Sequence, residues 1–250
     1  MGDTKSTGLE ATTGAAAALS SASIAVVIPA LNEASTIVEV ATGARAVCDT
    51  VIVVDDGSSD GSAELVKTLP VTLIRHHQNK GKAAALMAGF AAALAGGAEA
   101  VVTIDGDLQH QPGDIPRFIA RAAQSPDTMI VGQRVAKNGR RPKLRILANR
   151  CADYWISRAG RTVIADTQCG FRLYPRTLIE TISARHDRPH CFVFESEFLI
   201  NALRAGYAVE FVEIDAIYGA NPYRSSHYKP VLDTARIAGM IAGKILSSDD

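Results

Sequence analysis

Four short runs of aliphatic and β-branched residues stand in the first part of the chain, and each is followed by polar residues. They occupy residues 24–28, 51–54, 71–74 and 101–104. The longer segments between them carry apolar residues at the spacing of an amphipathic helix. Strands and helices that alternate in this way form right-handed βαβ units. The pattern therefore predicts an α/β fold with a parallel sheet flanked by helices.

The first helix and the later elements are predicted from the same pattern. Pro29 ends the first run, and the side chain of Asn32 can cap a helix that begins near Glu33. Beyond residue 110 the pattern predicts a helix, a strand, a further helix, a polar loop entering a short strand or turn, a helix, a half-exposed strand and a final amphipathic helix. Their ranges are 115–124, 129–132, 143–156, 166–172, 194–205, 209–214 and 231–246.

Length and composition indicate one large domain, because 250 residues with 47% hydrophobic content can bury a substantial core. Residues 1–22 are rich in Ala, Ser, Thr and Gly, lack the features of a signal peptide and are predicted to be a disordered tail. The folded domain is expected to span residues 23–230, followed by an amphipathic helix and tail at residues 231–250. No stretch of about 18 apolar residues occurs, so any membrane contact is expected to be peripheral.

Charge is balanced over the whole chain, with 26 basic and 26 acidic residues, so only local clusters are informative. The basic segment, residues 134–150, contains no acidic residue. Its basic side chains are Arg134, Lys137, Arg140, Arg141, Lys143, Arg145 and Arg150. Arginine binds phosphate through a bidentate fork, so this segment is a candidate phosphate clamp. The alternatives are a solvated basic loop, a contact with anionic lipid, and a nucleic-acid patch on a non-catalytic domain.

Two carboxylates follow the fourth predicted strand, at the edge of an α/β sheet where ligands bind. Asp105 and Asp107 flank a glycine, and Gln109 adds an amide oxygen. Oxygen donors of this kind suit Mg²⁺ or Mn²⁺, and such an ion can hold a diphosphate. The alternative is a solvated Asp-Gly turn. The four cysteines lack C-x-x-C spacing, which argues against a zinc site and favours reduced thiols in a cytoplasm.

Six motifs together resemble the family 2 inverting glycosyltransferases of the GT-A fold, most closely the branch that includes dolichyl-phosphate mannosyltransferase and other polyprenyl-phosphate enzymes. They occur in the family's order, and the resemblance covers about residues 24–229. The motifs are residues 27–33 (VIPALNE), 54–61 (VDDGSSDG), 79–82 (NKGK), 105–109 (DGDLQ), 166–172 (DTQCGFR) and 197–199 (EFL). The resemblance implies a mostly parallel, Rossmann-like GT-A sheet.

The same resemblance implies roles for individual residues around a nucleotide-sugar donor. The nucleoside pocket would be lined by Pro29, Leu31, Glu33 and Asp56, with Lys82 also close to the nucleotide. Asp105 would contact the nucleoside or the metal. Asp107 would be the principal metal ligand and Gln109 a further one.

On the acceptor side, the resemblance implies that Arg134, with Arg141 or Arg145, holds an acceptor phosphate. Glu197 would orient the acceptor or act as a base. Asp166 and His110 are further candidates near the site, although a loop histidine of this kind is expected to be solvated.

The expected activity is a metal-dependent, inverting transfer of a hexose from a GDP-mannose or UDP-glucose type donor to a polyprenyl phosphate. The close alternative keeps this donor chemistry but uses a hydroxyl acceptor on a lipid or glycan. The more distant alternative is the nucleic-acid-binding domain. A cytoplasmic location is expected, either free or peripheral at the inner face of the plasma membrane.

Overall fold

A computed structural model describes residues 23–135, 153–158, 160, 164, 166–183 and 194–215. The predicted tail at residues 1–22, most of the basic segment and the predicted helix at residues 231–246 lie outside the described residues. No helix in the described part of the chain is both long enough and apolar enough to span a bilayer.

The described strands form one seven-stranded sheet in the order β3-β2-β1-β4-β6-β5-β7. The strands are β1 (Ile24–Ala30), β2 (Thr50–Asp55), β3 (Thr72–Arg75), β4 (Ala100–Thr103), β5 (Met129–Val135), β6 (Arg172–Pro175) and β7 (Val209–Asp215). Strand β6 runs antiparallel to both of its neighbours, and the other adjacent pairs are parallel. The parallel βαβ arrangement predicted for the first 110 residues is confirmed.

Besides a helical segment at residues 153–158, six described helices flank this sheet. They are α1 (Ile37–Arg45), α2 (Ser62–Val66), α3 (Lys82–Ala95), α4 (Ile115–Gln124), α5 (Arg176–Ser183) and α6 (Phe194–Arg204). A 3₁₀ turn at Pro112–Asp114 leads into α4, and each of these two elements has a proline near its start. The parallel strands β1 and β4 are buried along nearly their whole length, as expected for strands that helices cover on both faces.

Helix α1 begins at Ile37 and not near Glu33, so that prediction was wrong by about one turn. The cause is the backbone of Asn32, which has a φ of 56° and therefore cannot start a right-handed helix. Its N–H donates to Ser58 Oγ at 2.8 Å, and its side-chain oxygen accepts the N–H of Ser59 at 2.9 Å. Asn32 thus joins two loops of the sheet and leaves Thr36 as the residue before the helix.

Helix α3 approaches β1 unusually closely at Gly89. A Cβ atom at this position would lie 2.3 Å from Val27 Cγ1 and 3.1 Å from Val27 Cγ2. Val27 is fully buried in β1, so neither partner has room to move away. The absence of a side chain at Gly89 therefore sets the distance between this helix and the sheet.

We expect Gly89→Ala to lower the free energy of unfolding by about 1–3 kcal/mol, because overpacking here outweighs the better helix propensity of alanine. Urea unfolding followed by circular dichroism measures the change. Gly113→Ala is the matched control, since a Cβ there has nothing within 4 Å. Equal stability of the Gly89→Ala variant and the parent would contradict this account of the packing.

Candidate active site

The loops that follow β1, β2 and β4 meet at one edge of the sheet, which we call the carboxyl edge. Because these three strands are parallel neighbours, their carboxyl ends lie side by side. Ala30 is paired with Asp55 and Val27 with Thr103 near the ends of the strands. Ligands of open α/β sheets bind at this edge. Pro29 lies near the end of β1, and Leu31, Glu33, Asp56 and the DGDLQ residues follow the three strands.

The nucleoside residues predicted after β1 lie at this edge. Pro29 and Leu31 are half-buried, and Glu33 is buried. The N–H of Glu33 donates to Ser62 Oγ at 2.9 Å, which fixes the start of the loop. A Cβ atom placed on Gly106 would lie 3.5 Å from Glu33 Cγ. Glu33 is therefore adjacent to the loop that carries the two predicted metal-binding aspartates.

Asp56 fixes the backbone of the loop that precedes α3. Its carboxylate accepts the N–H of Lys80 at 2.9 Å and the N–H of Gly81 at 2.7 Å, and it lies 2.7 Å from His76 Nδ1. A buried carboxylate is stable here because donors surround it. In the structure Asp56 organises the NKGK loop, and its predicted contact with a nucleoside stays a prediction.

Lys82, the first residue of α3, joins two carboxylates from distant parts of the chain. Its Nζ lies 2.6 Å from Asp105 Oδ1 and 3.2 Å from Glu195 Oε1. Burial by itself would lower the pKa of Lys82, but the charges of Asp105 and Glu195 outweigh it and raise the pKa. The two carboxylates therefore favour the charged form of the ammonium. We call Lys82, Asp105 and Glu195 the Lys82 cluster.

Gly170 is buried against the Lys82 cluster, where a side chain would not fit. A Cβ at Gly170 would lie 2.7 Å from Asp105 Oδ2 and 3.0 Å from both Glu195 Oε1 and Lys82 Nζ. The hydroxyl of Thr103, the last residue of β4, donates to the carbonyl of Gly170 at 2.8 Å and holds it there. Glycine is therefore required at this position of the DTQCGFR motif, because the charged groups occupy the space that a side chain would need.

The predicted metal-binding turn is compact and partly exposed. Asp107 Oδ1 accepts the N–H of Gln109 at 3.0 Å, and Leu108 between them has a φ of 58°. Such a backbone is costly for a leucine and is found mostly at functional sites. Asp105, Asp107 and Gln109 are each half-buried at the carboxyl edge.

The donors of this turn fit an ion that also takes ligands from its substrate. Among the described residues, no group of three or more His, Cys, Asp or Glu side chains is arranged to hold a metal by itself. Two carboxylates and an amide oxygen are nevertheless suited to Mg²⁺ or Mn²⁺, which commonly completes its shell with water and phosphate oxygens. The metal-binding role of Asp105, Asp107 and Gln109 stays a prediction.

Arg134 is paired with Asp166 in the described structure. Its Nε donates to Asp166 Oδ2 and its Nη2 to Asp166 Oδ1, both at 2.7 Å. Burial would raise the pKa of Asp166, but this bidentate contact with Arg134 outweighs it and lowers the pKa. The predicted binding of an acceptor phosphate by Arg134 stays a prediction, and Arg141 and Arg145 lie outside the described residues.

Glu195, which the sequence motifs did not single out, is the carboxylate of α6 that contacts Lys82. Glu197, the predicted acceptor residue, is half-buried two positions further along the helix. Residues two apart point in different directions on a helix, so the two carboxylates do not share a face. The signal for Glu195 in the sequence was a second acid in the first turn of a predicted helix.

Two buried side chains behind the site were also not recognised correctly from the sequence. Arg172 is fully buried and donates to the carbonyls of Thr167, Cys169 and Glu195 at 2.8, 2.7 and 2.6 Å. It therefore ties the DTQCGFR motif to the start of α6. The expectation of a solvated His110 was wrong. The ring is buried beside Phe171, and this burial lowers the pKa of His110.

The residues of this edge belong to a known sequence family. A match to Glycosyl transferase family 2 spans residues 25–183. This chain is a member of that family. Family 2 membership confirms the resemblance found in the motifs and argues against a non-catalytic nucleic-acid-binding domain. The match ends before α6, so Glu195 lies beyond the region by which the family was recognised.

Relatives of this family 2 chain include enzymes named undecaprenyl-phosphate 4-deoxy-4-formamido-L-arabinose transferase. The protein of Pectobacterium carotovorum subsp. carotovorum strain PC1 is 32% identical over 217 residues, which is 82% of this chain and 62% of the relative. The protein of Pseudomonas paraeruginosa strain DSM 24068 / PA7 is 31% identical over 217 residues, covering 82% of this chain and 60% of the relative. The chain thus spans about three fifths of the length of these relatives.

Solved structures with the same fold include glucosyl-3-phosphoglycerate synthase from Mycobacterium tuberculosis. The complex of that enzyme with Mn²⁺, UDP and glucosyl-3-phosphoglycerate superposes with a TM-score of 0.67 at 20% identity, covering 90% of this chain and 79% of that chain. The complex with Mn²⁺ and UDP-glucose superposes with a TM-score of 0.66 at 21% identity, covering 90% of this chain and 78% of that chain. The predicted GT-A, Rossmann-like sheet is confirmed.

We expect Asp166→Asn to lower the free energy of unfolding by about 3 kcal/mol at pH 7, because the buried guanidinium of Arg134 loses its charged partner. The folded-state pKa of Asp166 lies below its ordinary value of 3.8. The carboxylate therefore stabilises the fold above pH 3.8, and this contribution is lost as the pH falls through the lower folded-state pKa. Urea unfolding at a series of pH values should show the difference shrinking only in that acidic range.

The control for this experiment is Asp49→Asn, which breaks the exposed ion pair with Arg45. Exposed pairs of this kind contribute less than about 1 kcal/mol. An Asp166→Asn variant no less stable than Asp49→Asn would contradict the importance of the buried pair.

Proposed function

We propose that this chain is a metal-dependent, inverting glycosyltransferase that moves a hexose from a nucleotide-diphosphate sugar to a polyprenyl phosphate. The observation that supports it best is the Lys82 cluster beside the Asp107–Gln109 turn at the carboxyl edge. Fixed positive charge beside half-buried carboxylates suits a diphosphate that arrives with a divalent ion. Family 2 membership supports the same reaction type.

The donor half of the reaction requires that negative charge be stabilised as the diphosphate leaves. Asp107, Asp105 and Gln109 are the residues that would hold Mg²⁺ or Mn²⁺, and such an ion neutralises charge on the departing diphosphate. Lys82 adds a permanent positive charge at the same edge. Glu33 and Asp56 fix the loops against which the nucleoside would lie. The donor is proposed to be of the GDP-mannose or UDP-glucose type.

The acceptor half is proposed from the relatives and from Arg134. The relatives are named for transfer to undecaprenyl phosphate, and a phosphate oxygen is already ionised at neutral pH. Such an acceptor needs orientation rather than a general base. Its oxygen attacks the anomeric carbon while the bond to the nucleotide diphosphate breaks, which inverts the configuration. Arg134, kept in place by Asp166, is the residue that would orient this phosphate.

A hydroxyl acceptor is the second candidate, and Glu195 is the observation that favours it. A hydroxyl must lose its proton during attack, and a carboxylate at the reacting edge could accept it. Glu195 lies in the Lys82 cluster, in contact with Lys82 and beside Gly170. The two acceptor classes therefore predict different consequences when Glu195 is made neutral.

We expect Asp107→Ala to reduce sugar transfer by about two orders of magnitude or more, since a bound ion contributes several kcal/mol to the transition state. The measurement is transfer of labelled sugar from GDP-mannose and UDP-glucose to undecaprenyl phosphate, together with calorimetric titration of Mn²⁺. Asp114→Ala is the control, because Asp114 pairs with Arg117 at the start of α4. Turnover in Asp107→Ala within a few-fold of the parent would contradict the metal-binding role.

Glu195→Gln separates the two acceptor classes. If the acceptor is a phosphate, we expect the variant to keep its kcat to within about tenfold, because no base is needed and Lys82 retains Asp105 as a partner. If the acceptor is a hydroxyl, loss of the base should cost about 10²–10⁴-fold. Rates of the parent and Glu195→Gln are compared at saturating donor with undecaprenyl phosphate and, separately, with a lipid or glycan hydroxyl acceptor. Transfer by the parent to the hydroxyl acceptor alone, reduced by the larger factor in Glu195→Gln, would overturn the phosphate assignment.

A further inference from the structure

The helical segment at residues 153–158 has an exposed face that is aromatic and basic. Tyr154 and Trp155 are 64% and 46% exposed, and their ring centroids are 5.3 Å apart in an edge-to-face arrangement. Arg158 is also exposed, one helical turn after Tyr154. Among the described residues, the other exposed large hydrophobic side chains are the aliphatic Val38 and Leu65. We call Tyr154, Trp155 and Arg158 the aromatic face.

The aromatic face is held outward by contacts on the opposite side of the segment. Ile156 is fully buried in the core, and Asp153 accepts the N–H of Thr167 at 2.9 Å and its hydroxyl at 2.7 Å. Ser157 Oγ accepts the N–H of Ile164 at 3.0 Å. The exposed rings are thus presented by a segment that is anchored to the protein at three points.

The contact between Asp153 and Thr167 also connects this segment to the proposed acceptor site. Thr167, which Asp153 binds, follows Asp166 in the chain, and Asp166 holds Arg134 through its bidentate contact. The aromatic face also follows the basic segment in sequence, within which no acidic residue occurs. Exposed aromatic rings, a basic side chain and the arginine proposed to bind the acceptor therefore belong to one connected part of the molecule.

We infer that the aromatic face docks on the surface of an anionic phospholipid bilayer and so positions Arg134 for a membrane-borne acceptor. Tyrosine and tryptophan have an apolar ring and a polar group, which suits the level of the lipid headgroups. A basic side chain beside them is attracted to anionic lipid. The inference rests on the proposed function, since a polyprenyl phosphate acceptor resides in a membrane.

The chain contains one tryptophan, Trp155, so its fluorescence reports on this face alone. The full chain is mixed with vesicles of phosphatidylcholine and with vesicles of phosphatidylcholine plus phosphatidylglycerol. We expect a blue shift of the emission and co-sedimentation with the anionic vesicles, both of which weaken as salt is raised. Absence of both effects with the anionic vesicles would overturn the inference.

Matched variants assign the binding to the aromatic face. Arg158→Gln should lower vesicle partitioning about fivefold, the effect of one basic residue near an anionic surface. Tyr154→Ser should lower it several-fold while retaining the Trp155 signal. Leu65→Ser, which removes an exposed aliphatic side chain from α2, should leave partitioning unchanged. Equal partitioning of all three variants and the parent would contradict the assignment.

Transfer to a short-chain, water-soluble polyprenyl phosphate separates this inference from the proposed function. Normal transfer in Tyr154→Ser with weakened vesicle binding supports both. Transfer without vesicle binding in the parent overturns the docking surface and leaves the proposed function standing. Vesicle binding without transfer from any donor overturns the proposed function and the positioning of Arg134, and leaves only the docking surface standing. Self-association of the parent that Tyr154→Ser abolishes, without vesicle binding, would assign the face to a second copy of the chain and overturn docking on lipid.

Discussion

The ammonium of Lys82 lies between two carboxylates, and the arrangement of the carboxyl edge depends on this ionic contact. Lys82 begins α3, Asp105 follows β4 and Glu195 lies in the first turn of α6. Partly buried charges of one sign are unstable beside each other unless an opposite charge is present. The lysine thus allows acidic residues from separate segments to gather at one place. All three side chains keep part of their surface exposed, so the cluster can meet a further charged molecule.

Other polar side chains at the edge act mainly on backbone groups of the loops. Asp56 accepts two backbone N–H groups of the NKGK loop, and Arg172 donates to three backbone carbonyls behind the DTQCGFR motif. Loops without regular structure leave such groups unpaired, and leaving them buried and unpaired is costly. These side chains therefore allow irregular backbone to be fixed beside the charged cluster. Their presence within the family motifs does not require that each of them touch a substrate.

Much of the fold could be predicted from the sequence, because each buried strand of the first half is a short β-branched run that ends in a turn. The start of α1 could not, since the conformation of Asn32 depends on contacts with Ser58 and Ser59 from the next loop. At the site, the DGDLQ turn was found because its residues are adjacent in sequence. Glu195 was not found, because its partner Lys82 lies more than a hundred positions away. The burial of His110 was not predicted for the same reason, since its ring packs beside Phe171 from a distant part of the chain.

Strand β6 separates two groups of parallel strands in the sheet, β3-β2-β1-β4 on one side and β5-β7 on the other. Its residues pair with β4 across a long separation in the chain, with Arg172 opposite Thr103. During synthesis the first group can assemble while this strand is still missing, since local units form before distant pairings. The edge of β4 that faces away from β1 then lacks a partner until β6 emerges. The half of the sheet that carries the site is therefore completed only when β6 has been synthesised. A nascent chain interrupted before that point would expose the edge of β4 to unwanted pairing.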